Sequence, residues 1–192
     1  DVKLPIKRMT FKEAMEKYGS DKPDLRFGME ITDLTETVKD VDFKVFTSAL
    51  EIGGSVRALC LKGGASMGRK DIDRLGEFVK TYKAKGLAYI QLKEEGIKSP
   101  IAKFLTEDQM NKIISTMNAE KGDLILIVAD KNSIVFQSLG ALRLELAKKF
   151  DLRIKMNLTS HGLQNSHYLN IVKKKEDIQL VTIHLQHQWM KI

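Results

Sequence analysis

Leu124-Ile-Leu-Ile-Val-Ala129 is the stretch on which the fold reading turns: an almost wholly apolar run of strand length, bounded by charged residues on both sides. Downstream, the pattern changes to that of a helix from about Ser133 to Phe150, whose apolar set includes Ile134, Leu139, Leu142, Leu146 and Phe150. Upstream, Thr106 caps a helix running to about Met117, with Glu107 and Asp108 favourable in its first turn. Leu87–Leu92 reads as a strand and Ala102–Leu105 as a further short one. Arg69–Tyr82 reads as a helix with Ile72, Leu75, Phe78, Val79 and Tyr82 on one side. Phe43–Leu50 and Val56–Leu61 read as two strands joined around Gly53-Gly54 in a hairpin. Strands interleaved with helices predict one α+β domain over residues 31–152, in two layers, with a sheet covered on one face by helices.

Before this unit, Met9–Tyr18 places Phe11, Ala14, Met15 and Tyr18 on one helix face, with Thr10 as N-cap, Glu13 three residues on and Gly19 as its end. Gly19-Ser-Asp-Lys-Pro-Asp-Leu-Arg-Phe-Gly28 then reads as a turn-rich boundary, because Pro23 restricts Lys22 and the glycines free the backbone. Residues 1–30 therefore stand apart from 31–152.

The net charge of +7 over 192 residues invites a nucleic-acid reading, but its distribution weakens it. Residues 1–152 hold 26 Lys+Arg against 23 Asp+Glu, whereas residues 153–192 hold 6 against 2. The last forty residues also hold all four histidines and the one tryptophan, while all three prolines precede them. No apolar run approaches the roughly 20 residues that span a bilayer, and the N-terminus lacks a signal-peptide core, so a soluble cytosolic protein is expected, without a membrane partner. The single cysteine, Cys60, lies in an apolar run and reads as a buried inert thiol, which fits a reducing compartment.

Lys62-Gly-Gly-Ala-Ser-Met-Gly-Arg-Lys70 has the glycines and lysine of a phosphate loop ahead of a helix, but not the Gly-Lys-Ser/Thr order, and reads as a simple turn. His161, His167, His184 and His187 have no acidic or cysteine company, so no metal site is expected. Lys173-Lys174-Lys175 reads as a solvated run. Ser20, Asp21, Lys22, Asp24 and Arg26 form a dense polar and charged set at a turn, which on residue types alone is a salt-bridged boundary loop.

Residues 5–28, above all Tyr18 to Arg26, closely resemble the stretch of bacterial aspartyl-tRNA synthetases that leads from the catalytic domain into its insertion. Lys44-Val-Phe46, Lys85-Gly-Leu-Ala-Tyr89, Ser99-Pro-Ile-Ala-Lys-Phe104 and Gly140-Ala-Leu-Arg143 follow in that family's order and resemble its GAD domain, a module also found in the glutamyl-tRNA amidotransferase B subunit. The resemblance covers residues 5–152. It implies a class II enzyme that activates aspartate with ATP and magnesium and transfers it to tRNA, commonly as a homodimer in the cytoplasm. The two arginine-bearing motifs that hold ATP in the family, and its anticodon-binding barrel, have no counterpart in this chain. Ser20, Asp21, Lys22, Asp24 and Arg26 would lie on the active-site side with no assigned role, so no catalytic, cofactor-binding or metal-binding residue is expected. A silent fragment, the insertion domain with a flanking catalytic strip, is thus the expectation. The alternative is a free-standing GAD-type module that binds RNA or another partner, which the near-neutral charge of residues 1–152 disfavours.

Residues 153–192 are expected to be a tail translated out of frame. Where the family continues with a strand resembling Trp-Val-Thr-Asp-Phe-Pro, this chain has Ser-His-Gly-Leu-Gln-Asn-Ser-His. Reading the same bases two positions later, His161-Gly162-Leu163 as CAT GGG TTA conceals TGG GTT, or Trp-Val. Permitted codons carry that resemblance on to a His-His-Pro-Phe-Thr element, which accounts for the histidine, tryptophan and proline imbalance. Such a tail should be irregular and lack stable packing, and His184 and His187 would not correspond to the family's histidines.

Overall fold

The computed structural model describes residues 7–152 and 161–164. In chain order the elements are β1 (Lys7–Thr10), α1 (Phe11–Tyr18), β2 (Thr32–Asp33), α2 (Thr35–Val38), α3 (Lys44–Glu51), β3 (Ser55–Leu61), α4 (Arg69–Thr81), β4 (Ala88–Lys93), β5 (Gly96–Lys98), α5 (Glu107–Thr116), β6 (Leu124–Asp130), α6 (Asn132–Lys149) and β7 (His161–Gln164), with short 3-10 turns at Gly64–Ser66 and Ala102–Phe104.

All seven residues of β6 are buried. An uninterrupted apolar run can satisfy both faces of a sheet at once, and β6 does so at its centre. It pairs antiparallel with β3 from Ser55↔Asp130 to Leu61↔Leu124, and with β4 from Ala88↔Ile127 to Gln91↔Leu124. The strand order is β2-β3-β6-β4-β5, every pairing antiparallel, so the class is α+β as expected. Ile125, Ile127 and Ala129 meet Phe46 and Ala49 of α3 and Met110 and Ile113 of α5 on one face. Leu124, Leu126 and Val128 meet Ile72, Leu75 and Val79 of α4 and Leu139, Leu142 and Leu146 of α6 on the other. Helices therefore cover both faces, and the expected two layers become three.

Two further expectations are corrected. Phe43–Leu50 is not a strand, and no hairpin turns at Gly53-Gly54: Lys44–Glu51 is helical, burying Phe46 and Ala49, and leads through Gly53 (φ 70°) into β3. Phe43, Phe46 and Leu50 stand at i, i+3 and i+7, a helical stripe whose aromatic members, with Val45 and Thr47 between them, imitate a strand. Ala102–Phe104 is a 3-10 turn rather than a strand. The remaining predicted elements lie within a residue or two of those observed. Thr106 forms a full capping box with Gln109, and Thr10 accepts a hydrogen bond from the Glu13 amide at 3.1 Å.

Of the expected out-of-frame tail, only residues 161–164 are described: they pair in parallel with β1, from Lys7↔His161 to Thr10↔Gln164. The other tail residues, including His167, His184, His187 and Lys173 to Lys175, lie outside the described residues. Among the described residues no helix is long and apolar enough to cross a membrane.

Candidate functional site

The loop from Gly19 to Glu30 carries Ser20, Asp21, Lys22, Asp24 and Arg26, the set that the resemblance places on the active-site side, and its shape begins with two glycines. Gly19 ends α1 in the left-handed region (φ 67°), which returns its amide to Met15. There it meets α6 backbone to backbone: a Cβ added at Gly140 would stand 2.7 Å from the Gly19 carbonyl oxygen. The helix end and α6 can approach so closely only because neither carries a side chain at that point.

One turn further along α6, Arg143 enters the loop. It is 1% exposed. Its Nη2 donates to the carbonyl oxygens of Asp24 (2.7 Å), Phe27 (3.0 Å) and Gly28 (3.0 Å), and its Nε to that of Met29 (3.0 Å). The guanidinium also packs over the Phe27 ring, 4.0 Å from its centroid, and over the Tyr18 ring at 4.9 Å. Burial pushes the guanidinium down to about 10, with Tyr18, Asp24 and Glu30 acting the other way, so the charge persists at neutral pH. Tyr18 is pushed up to about 12 by burial and by its hydrogen bond to Glu30 (2.8 Å), and remains a neutral phenol.

The five residues expected at this site are brought into one loop but not into one constellation. Asp24 and Arg26 form a two-pronged pair, Nε to Oδ1 at 2.9 Å and Nη2 to Oδ2 at 2.7 Å, and the Asp24 carboxylate also takes the Arg26 amide. Ser20 accepts from the Lys22 amide at 3.0 Å. The side chains of Asp21, Lys22 and Arg26 face solvent. Arg57 of β3 ties α1 to the sheet, pairing with Asp33 at 2.7 Å and reaching the Glu16 carbonyl at 3.5 Å.

In the sequence Arg143 stands out only as the last residue of Gly140-Ala-Leu-Arg143. A signal was available: it lies four residues after Leu139 and three before Leu146, on the buried face of its helix, where a cation needs partners.

The glycine loop after β3 is a turn, as expected. Its inward groups serve a carboxylate of the protein itself: Asp123 accepts from the Gly63 amide (3.0 Å), the Glu120 amide (2.9 Å) and the Lys62 ammonium (2.8 Å). Burial alone would raise the Asp123 carboxyl, but Lys62 and the two amides outweigh it and hold the group below its usual range. Cys60 is half-buried, its thiol pushed up to about 11 by burial and by Asp123, which suits an inert residue. Elsewhere, Ile72, Gly76, Lys85, Gly86 and Tyr89 help line a shallow groove of about 390 Å³ along α4. Among the described residues no three His, Cys, Asp or Glu side chains cluster as a metal site.

Residues 46–139 match the family model of the GAD domain. Residues 46–139 are accordingly similar to a GAD domain, and the α1 helix and the loop after it dock on α6. The aspartate-tRNA ligase of Clostridium botulinum (strain Eklund 17B / Type B) is 80% identical over 152 residues, which is 79% of this chain and 25% of that protein. That of Clostridium perfringens (strain SM101 / Type A) is 78% identical, and that of Clostridium novyi (strain NT) 70%, each over 152 residues, or 26% of the relative. Over those matched residues the chain is similar to aspartate-tRNA ligases, and it spans about a quarter of the length of the curated relatives it matches. Among solved structures, a hypothetical protein from Pyrococcus horikoshii OT3 is similar with a TM-score of 0.38 and 16% identity, over 60% of this chain and 75% of that one.

Proposed function

We propose that this chain is the insertion domain of an aspartate-tRNA ligase with a strip of its catalytic domain, catalytically silent by itself. The observation that carries this reading is the coverage: a match at 80% identity takes up 79% of the chain and only 25% of the relative. In the parent enzyme, ATP and magnesium would serve aspartate activation and tRNA would receive the product. The parent would work as a cytoplasmic homodimer without membrane contact, and this chain's partners would be tRNA and the rest of the synthetase. Adenylate formation needs positive groups clamped on the triphosphate. In the strip, Arg26 is already taken by Asp24 at 2.7 Å, so no step through ATP is assigned to these residues. Aspartate-dependent ATP–pyrophosphate exchange by the purified chain is expected to be indistinguishable from a mock preparation. Exchange that survives stringent removal of the host synthetase overturns the reading.

The out-of-frame origin of residues 153–192 belongs to the same proposal. The relatives match 152 residues, leaving 40 of the chain's 192 outside the match, which supports it. Resequencing the gene decides: a DNA segment that does not encode the family's continuation in the shifted frame overturns it. Titration of tRNA against salt separates this reading from a free-standing RNA-binding module, for which tight binding with a steep salt slope is expected.

A further inference from the structure

We propose that Arg143 is a positioning residue: by gathering the carbonyl oxygens of Asp24, Phe27, Gly28 and Met29 around one buried guanidinium, it imposes from α6 the conformation of the loop that carries Ser20, Asp21, Lys22, Asp24 and Arg26.

The loop does not hold this shape on its own terms. Four carbonyl oxygens drawn from six consecutive residues converge on one point, where their dipoles repel unless a cation stands between them. Met29 sits at φ 66°, a left-handed conformation that costs a residue with a Cβ on the order of 1 kcal/mol. In the loop's own ion pair only Arg26 lies outward; the Asp24 carboxylate, 16% exposed, adds a favourable charge near Arg143, but the pair supplies no donor to these oxygens. Arg143 supplies what is missing, and its chemistry is specific. A planar guanidinium offers donors along two edges while its faces stack on Tyr18 and Phe27; a lysine ammonium is a point charge that cannot do both. The Gly19–Gly140 contact fixes where the loop leaves α1, and Arg143 fixes where it goes next.

The consequence is that the strip takes its geometry from the insertion domain. A small displacement of α6 would move Asp24 and Arg26 with it. Any bearing on catalysis rests on the reading of the strip as the flank of an active site; the test below does not, because it reads loop order rather than activity.

The test uses the full 192-residue chain labelled with 15N. In the unmodified protein the Arg143 Nε–H is expected to be protected from exchange like the amides of Leu124–Asp130, in contrast to that of Arg69, whose side chain is 81% exposed. An Arg143 Nε–H that exchanges as fast as that of Arg69 overturns the proposal outright. In Arg143→Lys and Arg143→Met, the β6 amides should stay protected, while the Ile31 amide, held by Lys17, and the Arg26 amide exchange about tenfold faster or more, the size of one lost charge-assisted hydrogen bond. If the methionine variant fails to fold, the lysine variant decides, because it keeps the charge. Exchange that rises equally in β6, α6 and the loop, or a lysine variant with a loop like the original, makes Arg143 a mere packing residue and sinks the idea.

Discussion

Residues 19–30 and 62–68 make an instructive pair, because as sequence they are the same kind of object: a short segment with more than one glycine and at least one charge between regular elements. In the structure each closes around one buried charge from elsewhere in the chain, of opposite sign. The first turns carbonyl oxygens inward and is held by the Arg143 guanidinium. The second turns the Gly63 N–H inward, adds the Lys62 ammonium, and is held by the Asp123 carboxylate. The polarity of the backbone groups facing inward selects the ion, and a buried ion held by several hydrogen bonds is what a loop without a core can be built upon.

The comparison breaks most readily at Gly140. If the first loop also depends on direct backbone contact with α6, Gly140→Ala should cost roughly 3 kcal/mol, at the upper end for overpacking, because the added methyl meets the Gly19 carbonyl and the Tyr18 carbonyl rather than a flexible side chain. Denaturant unfolding measures this, and a loss below about 1 kcal/mol would mean that the contact is loose. Next in size is Asp123→Asn, expected to cost about 2 kcal/mol, since an amide group must turn a donor toward N–H groups or the ammonium.

Acid gives an independent reading of the same carboxylate. Its folded value is depressed below the ordinary 3.8, so its contribution is present above that pH and is lost as the pH falls through the lower, folded value. Unfolding curves of the original protein should therefore steepen in their loss of stability below 3.8, and those of Asp123→Asn should be flatter there. An unchanged slope would place the acid sensitivity elsewhere. The smallest effect is expected from Lys62→Met, at most about 1 kcal/mol, because that side chain is 60% exposed and the two amides remain on Asp123. A larger loss would show that the ammonium, not the amides, holds the second loop.

How far these features were legible varies with what carries them. Caps and apolar periods are local, so Thr10, Thr106 and the stripe Ile72, Leu75, Val79 were read correctly from neighbouring residues. Phe43–Leu50 failed because eight residues with two phenylalanines and a valine fit both periods, and only packing of Phe46 and Ala49 on the sheet selects the helix. The third layer was obscured because an apolar run shows no alternation to count, although Leu124–Ala129 carried that information in its very uniformity. In the candidate loop the pairing of Asp24 with Arg26 is legible, because the two stand two residues apart. Arg143 and Asp123 act across more than a hundred and about sixty residues respectively, and no pattern in a single sequence connects such positions.

The place of β6 in the sheet has a temporal side. It is the strand that joins β3 to β4, yet it follows both in the chain, so during synthesis β3 must wait for Leu124–Asp130 before it gains its long partner, with only the two-residue β2 beside it meanwhile. Arg143 is made later still, 119 residues after Asp24. The nascent loop of residues 19–30 thus lacks the guanidinium that binds its carbonyl oxygens until residue 143 has been made. Such long-range closure slows folding relative to a chain of local contacts. It also means that a ribosome stalled before residue 143 would carry a chain in which the carbonyl oxygens of Asp24, Phe27, Gly28 and Met29 lack their common donor.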